Sequence, residues 1–315
     1  MALPRLSPPA YRRVALFALL ALGFIVVTGA AVRLTGSGLG CTDWPTCEEG
    51  RLTPVDATDF HAMVEFVNRT ITGLVSVAVM LAVLGSLVRR PRRRDLTLWS
   101  PGLVAGVIGQ IVLGGLTVLF DLAPPFVMGH FILSMVLLWN AVVLHHRAGI
   151  PDGGRTRPVV SPTLVAMSRL LVASAAIVVF TGTVVTAAGP HAGDASARRL
   201  DAAVSDVARV HGTSVVVLVG LTLLAVRGAA RERAPEVVQG GLRTLLAVLV
   251  GQAAIGYVQY FTGVPAALVA AHVLGAVAVW IAVVRVALVV RGTAPPPADE
   301  APTGHVPRRA VLAAP

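Results

Sequence analysis

Eight uncharged, strongly apolar runs constrain this chain more than any other feature of its sequence. Each has close to the roughly twenty residues that a helix needs to cross a bilayer core. Closed barrels, the other structure that can span a membrane, show alternating rather than continuous apolar character. The sequence therefore predicts an all-α integral membrane protein. The expected transmembrane helices lie at Val14–Val32, Thr70–Val88, Leu96–Phe120, Pro124–Leu144, Leu170–Gly189, Val210–Val226, Thr244–Val264 and Ala266–Val284.

The composition excludes a soluble protein. Charged residues make up 13% of the chain and hydrophobic residues 55%, whereas about a quarter of the residues of a soluble domain are charged. The run Val14–Val32 is longer than the apolar core of a signal peptide, and no small-residue cleavage site follows it. We therefore expect the first span there.

Arginine clusters between the apolar runs predict the orientation in the membrane. The clusters at Arg12-Arg13, Arg89–Arg94 and Arg227–Arg233 all fall on one side, which the positive-inside rule makes cytoplasmic. The net charge of +10 is thus a property of the topology and does not indicate nucleic-acid binding. We expect a multi-pass protein with both termini in the cytoplasm.

An internal repeat relates the first four spans to the last four. Gln110 and Gln252 lie in similar apolar segments, and in both copies a histidine follows the glutamine by twenty residues, at His130 and His272. Both halves contain an even number of spans and so have the same orientation. We expect two pseudo-symmetric four-helix bundles related by an axis along the membrane normal.

A second pair of matching segments supports the repeat. Thr28-Gly29 in the first span recurs as Thr181-Gly182 in the fifth, and the second-span equivalents then align Asn68 with His211. The expected organisation is an N-terminal half at 1–148, a cytoplasmic linker at 149–166, a C-terminal half at 167–291 and a disordered cytoplasmic tail at 292–315.

Three histidines lie at similar depth near the outer ends of their spans. His130 and His272 follow Pro125 and Pro265 by a few residues, which places them roughly 8–10 Å inside their helices. His211 stands at the start of its span. Two neutral imidazoles that face each other across a bundle are suitable axial ligands for haem iron, and His211 with His272 form such a pair. The alternative for each ring is a hydrogen bond to a neighbouring helix.

The first half departs from this pattern. In the repeat, the position that corresponds to His211 is Asn68, so His130 lacks the second histidine that His272 has. An amide is a poor iron ligand. His61, Glu65 and Asn68 share one helical face at i, i+4 and i+7. His61 is therefore a candidate second imidazole, with simple placement in the membrane interface as the alternative.

Glu65 is the carboxylate most suited to chemistry. It points toward the same outer cavity as the histidines, where a buried carboxyl group could handle protons. The structural alternative is an i, i+4 ion pair with Arg69.

The only two cysteines of the chain, Cys41 and Cys47, lie in the first outer loop. An oxidising compartment on that side of the membrane predicts a disulfide that closes a small loop. The pair is either a structural clip or a redox-active pair.

Three motifs of the chain resemble those of one known family. Gly36–Pro45 (GSGLGCTDWP) looks like the first outer loop of the haem A synthases, and Glu65–Arg69 (EFVNR) and Gly189–Asp194 (GPHAGD) are similar to that family's second-span and third-loop motifs. The likeness extends from Val14 to about Arg291.

The resemblance implies an enzyme of the bacterial inner membrane that oxidises the C8 methyl of haem O to a formyl group, giving haem A for terminal oxidases. It implies haem b as a cofactor on His211 and His272, the substrate haem O on His130, and a catalytic role for Glu65. The departure is Asn68, which stands where many members have the other histidine of the first half. The substrate haem iron is then expected either to be five-coordinate or to be assisted by His61.

Other features of the resemblance concern partners. Haem O would come from a membrane haem O synthase, which is a farnesyltransferase, and electrons would come from a donor that the sequence does not identify. The sequence leaves open whether the protein forms a homo-oligomer.

Two alternative functions differ in class. One is a dihaem electron carrier of cytochrome b type, and the other is a haem transporter or assembly factor without catalysis.

Overall fold

The computed structural model describes residues 5–294 and is almost entirely α-helical. Eight of its helical segments are long and apolar enough to cross a membrane, which confirms the predicted fold class and number of spans. The elements in chain order are α1 (Pro8–Leu34), α2 (Phe60–Val88), α3 (Arg94–Trp99), α4 (Pro101–Leu119), α5 (Pro124–Ala148), β1 (Arg155–Pro158), α6 (Pro162–Ala188), α7 (Val204–Arg231), α8 (Glu236–Phe261), α9 (Ala266–Val289) and β2 (Arg291–Ala294).

The outer faces of the helices carry large apolar side chains. On α1, Phe17, Leu20 and Phe24 are more than half exposed, while Tyr11 and Leu22 on the opposite face are buried. A soluble monomer rarely exposes contiguous apolar surface of this kind. The helices satisfy their backbone hydrogen bonds internally, which is what hydrocarbon surroundings require. The chain is therefore a multi-pass membrane protein.

The second span begins well before the predicted Thr70, because a cap residue starts the helix outside the apolar run. The side chain of Asp59 accepts hydrogen bonds from the backbone amides of His61 and Ala62, at 2.8 and 3.1 Å. The helix therefore includes Glu65 and Asn68 in its first turns. This extension sets the depth of both side chains.

The third span is interrupted where the sequence predicts one helix over Leu96–Phe120. The break lies at Ser100, between α3 and α4, and Pro101 follows at the first position of α4. Proline has no amide hydrogen to donate, so the hydrogen-bond ladder stops there. The chain still passes as one span, from Arg94 to Leu119.

Helices α1–α5 and α6–α9 form two groups with the same order of neighbours. In the first group α1 packs on α2 and α5, and α4 packs on α5; in the second, α6 packs on α7 and α9, and α8 packs on α9. The groups meet through α1 and α5 on one side and α6 and α9 on the other. One difference separates them, because α7 packs along α8 whereas α2 and α4 have little contact.

The centre of the molecule is an apolar contact between α5 and α9. Leu138 and Val283 are fully buried there. The indole nitrogen of Trp280 donates a buried hydrogen bond of 2.7 Å to the carbonyl oxygen of Met135, which joins the two helices. A buried indole usually finds such a partner, since an unpaired N–H in an apolar core is costly.

Arginines gather at one end of the bundle. Arg89 is buried there, and its guanidinium lies 2.7 Å from a carboxylate oxygen of Asp152. Arg93 donates a 2.6 Å hydrogen bond to the carbonyl oxygen of Ile150, and the Arg147 guanidinium lies over the ring of Trp99. These contacts hold the loops at this end against the helix ends.

A small two-stranded sheet lies at the same end of the bundle. Strand β1 pairs antiparallel with β2, so that Arg155 is opposite Ala294 and Pro158 is opposite Arg291. Residues 155–158 fall within the predicted linker and 292–294 at the start of the predicted tail. Helix α6 likewise begins at Pro162, before the expected start of the second half at 167. The rest of the predicted tail, 295–315, lies outside the described residues.

The arginine-rich end is expected to face the cytoplasm. Alkaline phosphatase fused within 151–154 should be inactive, whereas a fusion after Asp194 should be active, because the positive-inside rule keeps the arginine clusters in the cytoplasm. A cytoplasmic reporter such as a fluorescent protein, fused at the same two positions, serves as the reciprocal control. Activity in the reverse pattern would contradict the predicted orientation.

Candidate functional site

Two imidazoles face each other between α7 and α9. The ring centres of His211 and His272 are 6.4 Å apart, with their planes at 72°. His211 is the eighth residue of α7 and His272 the seventh of α9, so both lie roughly 9–11 Å from the start of their helices. The predicted pair is thus brought together at one depth.

The His211 ring is held by α6. Its Nδ1 lies 3.1 Å from the hydroxyl of Thr181, which is itself 3.1 Å from the hydroxyl of Ser214. The ring also rests on Gly182, where a Cβ would lie 3.2 Å from Cε1 of His211. A hydrogen bond at Nδ1 leaves Nε2 free, which is the arrangement of a metal-ligating histidine.

His272 is positioned by α8 in a related way. The side-chain amide of Gln252 donates a 2.7 Å hydrogen bond to the backbone carbonyl of His272. A Cβ at Gly256 would lie 3.0 Å from Cε1 of the ring. Nδ1 of His272 is buried and has no hydrogen-bond partner within residues 5–294.

The first half repeats this arrangement around His130. Gln110 donates a 3.1 Å hydrogen bond to the backbone carbonyl of His130, and Gly114 adjoins the ring as Gly256 adjoins that of His272. Nδ1 of His130 is again buried without a partner in the described chain.

The other predicted members of the first site lie along α2. The amide oxygen of Asn68 is buried and has no partner among the described residues. His61 is exposed at the outer end of the helix, where its Nδ1 lies 3.0 Å from the hydroxyl of Ser37. His61 is two helical turns, roughly 10 Å, from Asn68.

His61 also lies close to the third outer loop. Hydrogen bonds from the hydroxyl and the backbone amide of Ser196, with a further contribution from His61, hold the pKa of Asp194 below its usual value. His61 therefore contacts the first outer loop through Ser37 at its present position.

Glu65 is buried beneath the first outer loop, and both of its carboxylate oxygens have partners. Oε2 accepts a 2.9 Å hydrogen bond from the backbone amide of Cys41. Oε1 accepts from the guanidinium of Arg69, at 3.0 Å from Nε and 2.5 Å from Nη2. The ion pair that the i, i+4 spacing predicts is present.

Arg69 extends this contact to the rest of the loop. Its guanidinium donates to the carbonyl oxygens of Asp43, Thr46 and Cys41 at 3.1, 2.8 and 3.3 Å. Cys41 and Cys47 form a disulfide, as predicted. Glu65 and Arg69 thus anchor a covalently closed loop from the helix below it.

Two glycines let the disulfide loop approach the helices. At Gly40 a Cβ would overlap the backbone carbonyl of His61, and at Gly115 it would lie 2.5 Å from the indole nitrogen of Trp44. The loop therefore packs on α2 through Gly40 and on α4 through Trp44. It covers the outer end of the first half.

The outer loops of the two halves are joined. The amide of Gly38 donates a 2.8 Å hydrogen bond to the carbonyl of Gly193, and Arg33 donates one of 2.6 Å to the carbonyl of Thr186. His191 Nε2 lies 2.9 Å from the carbonyl oxygen of Val264 in the fourth outer loop. The loops form one cover over the outer ends of both histidine sites.

The donor set fits haem iron better than a free metal ion. No cluster of three or more His, Cys, Asp or Glu side chains that could hold a metal occurs within 5–294. A haem iron takes four ligands from its porphyrin and needs only axial ligands from the protein. Two imidazoles on opposite sides of one metal have ring centres roughly 6 Å apart, since each metal–nitrogen bond is about 2 Å.

Several residues of the site were not predicted as such. Thr181 and Gly182 support His211, and Gly114 and Gly256 adjoin their histidines. All four lie in the repeated segments, so the repeat itself contains the signal. The contacts of Arg69 with the loop have no comparable signal, because they depend on how loop and helix meet.

These observations define a class: a multi-pass α-helical membrane protein with buried histidines suited to haem. The comparison with protein families agrees. A family model described as cytochrome oxidase assembly protein (COX15-CtaA) matches residues 12–284, and the chain belongs to this family.

Curated relatives bear the name "Heme A synthase". One from Exiguobacterium sp. is 26% identical over 170 residues, which cover 54% of this chain and 55% of the relative. One from Shouchella clausii is 31% identical over 157 residues, covering 48% and 50%. One from Lysinibacillus sphaericus is 30% identical over 113 residues, covering 36% of each. The matched part thus spans about half or less of these relatives.

The anchoring role of the Glu65–Arg69 pair can be tested by stability. Arg69→Ala should lower the free energy of unfolding by roughly 3–5 kcal/mol, because it leaves a buried carboxylate without its partner. It should also speed reduction of the Cys41–Cys47 disulfide, measured by thiol alkylation of the detergent-solubilised protein.

The matched control is the exposed pair of Asp206 and Arg209, whose side chains are 69% and 80% exposed. Asp206→Ala should cost about 1 kcal/mol or less and leave the reduction rate unchanged. Equal effects of the two substitutions would contradict an anchoring role for Arg69.

Proposed function

We propose that the chain is a haem A synthase that converts the C8 methyl of haem O to a formyl group by successive hydroxylations and dehydration. The observation that carries the proposal is the pair of His211 and His272 at 6.4 Å, with a repeat-related histidine, His130, in the other half. Membership of the family and relatives named for haem A synthesis support it.

In this proposal the second half holds haem b. His211 and His272 would hold it by binding its iron, and the hydroxyl of Thr181, 3.1 Å from Nδ1, orients the His211 ring. Bound there, haem b supplies one-electron transfer to the substrate site. The close packing of α7 on α8 suits a resident group, because it closes that side of the bundle.

The first half binds haem O, with His130 as the protein ligand. The limited contact between α2 and α4 suits a substrate that exchanges with the membrane, where a haem O synthase would supply it. The disulfide loop covers this site from the outer side. His61 and Asn68 complete its lining along α2.

Glu65 is the proposed catalytic acid or base of the first half. Oxygen insertion at a methyl group consumes protons as well as electrons, and Glu65 is the buried carboxylate nearest this site on α2. Its bonds to Cys41 and Arg69 also give it the anchoring role described above. The two roles predict different outcomes for a substitution that preserves the loop.

The proposed haem b ligands can be tested by spectroscopy. His211→Ala and His272→Ala should each abolish the low-spin bis-imidazole absorption of the purified protein, because one axial ligand is lost. His191→Ala, which alters a histidine of the outer loops, is the matched control and should leave that signature intact. A bis-imidazole signal that survives both substitutions would exclude this assignment.

The proposed activity can be tested by extracting pigments from cells that supply haem O. Cells with the wild-type chain should accumulate haem A, whereas Glu65→Gln should leave haem O, or a hydroxylated product, with a normal haem b spectrum. Glutamine keeps one acceptor oxygen, but its amide nitrogen faces either the Cys41 amide or the Arg69 guanidinium, and the ion pair is lost. Loop stability is therefore measured in the same variant.

The control is a measurement of disulfide reduction in the same variant. A variant with a stable loop that makes haem A at the normal rate would remove Glu65 from the chemistry. A wild-type chain that binds two haems but never forms haem A would favour an electron carrier, and one that only passes haem on would favour a transporter.

A further inference from the structure

The two halves differ at one position of the histidine sites, and this difference bears on how the first half holds its haem. We propose that His130 is the only axial ligand that the protein gives to the first-half haem, so that the coordination position on the Asn68 side is open to small exogenous ligands. This inference rests on the proposed function, and it concerns the substrate site alone.

The surface that supports the second imidazole is uncovered in the first half. At Gly182 a Cβ would lie 3.2 Å from the His211 ring, because that ring rests on the glycine. The repeat-related Gly29 has nothing within 4 Å of the same position. The side chain of Asn68 therefore does not occupy the place that His211 occupies in the other half.

The threonine that holds the imidazole in the second half has an equivalent in the first half, but that equivalent contacts no imidazole. Thr181 lies 3.1 Å from Nδ1 of His211. The equivalent Thr28 donates to the carbonyl of Ile25 in its own helix, at 3.2 Å, and no side-chain partner is found for it in the described part of the chain. The first half thus retains both supports of an imidazole, the glycine and the threonine, without the ring itself.

Asn68 does not replace the missing ligand. Its side chain offers a neutral amide oxygen, and such oxygens suit magnesium or calcium, whereas imidazole suits iron. That oxygen is buried, and no hydrogen bond from residues 5–294 uses it.

His61 is too far out to serve as a second ligand in this arrangement. Its Nδ1 is engaged with Ser37, and it lies roughly 10 Å further along α2 than Asn68. Gly40 packs directly on its backbone carbonyl, which holds the first turn of the helix under the disulfide loop.

Carbon monoxide is the probe, because ferrous haem binds it where an axial position is open and resists it where two imidazoles are bound. The full-length chain, loaded to saturation with haem b as a stand-in for haem O, should bind about one carbon monoxide per chain after reduction. Asn68→His should abolish this binding and convert the first-half haem to a low-spin bis-imidazole spectrum. Asn68→Ala is the matched control and should still bind carbon monoxide.

Different results identify which claim fails. If the wild-type protein binds two haems but no carbon monoxide, the claim that one coordination position is open is wrong. Carbon monoxide binding gained by His61→Ala would then identify His61 as the second ligand. Haem A formation by that same protein would leave the proposed function standing. If only one haem binds per chain and His130→Ala does not alter it, the substrate site fails, and the inference fails with it. The wild-type measurement decides the matter even if Asn68→His does not fold.

Discussion

The structure depends on one constraint, that a polar group inside hydrocarbon must have a partner within the protein. The helices meet it for the backbone, and the indole of Trp280 meets it through the carbonyl of Met135. The buried ring nitrogens of His130 and His272 do not meet it within the described residues. An imidazole in hydrocarbon without a full set of partners is a functional candidate by default, and Nε2 is the ring atom that a ligand would use.

The two halves of the chain use the same contacts to position a histidine. The same contacts recur around His130 and His272, where a glutamine holds the backbone carbonyl and a glycine admits the ring. The halves diverge where α2 faces α1, because Asn68 takes the place of an imidazole. A repeated scaffold with one altered ligand position is a simple way to obtain a tightly held haem and an exchangeable one from the same fold, as we propose here.

The outer loops connect the two helix bundles at the end where the histidines lie. Glu65 and Arg69 anchor the disulfide loop from below, Gly38 joins the first and third loops, and Arg33 joins the ends of α1 and α6. A carboxylate that is fully engaged in an anchor is well positioned but not free, so any proton transfer at Glu65 is coupled to the loop above it. This coupling is the physical reason to test loop stability and chemistry in the same variant.

The fold class, the eight spans, the disulfide and the common depth of the histidines can be predicted from the amino-acid sequence, because they follow from hydropathy, cysteine count and helical period. The repeat shows which residues correspond, including the substitution at Asn68. The packing of the helices is needed to see that His211 and His272 face each other, that Thr181 and Gly182 support one ring while Thr28 and Gly29 support none, and that Arg69 binds the loop carbonyls. These contacts join segments far apart in the chain, and their distances depend on how helices pack, which hydropathy and periodicity do not describe.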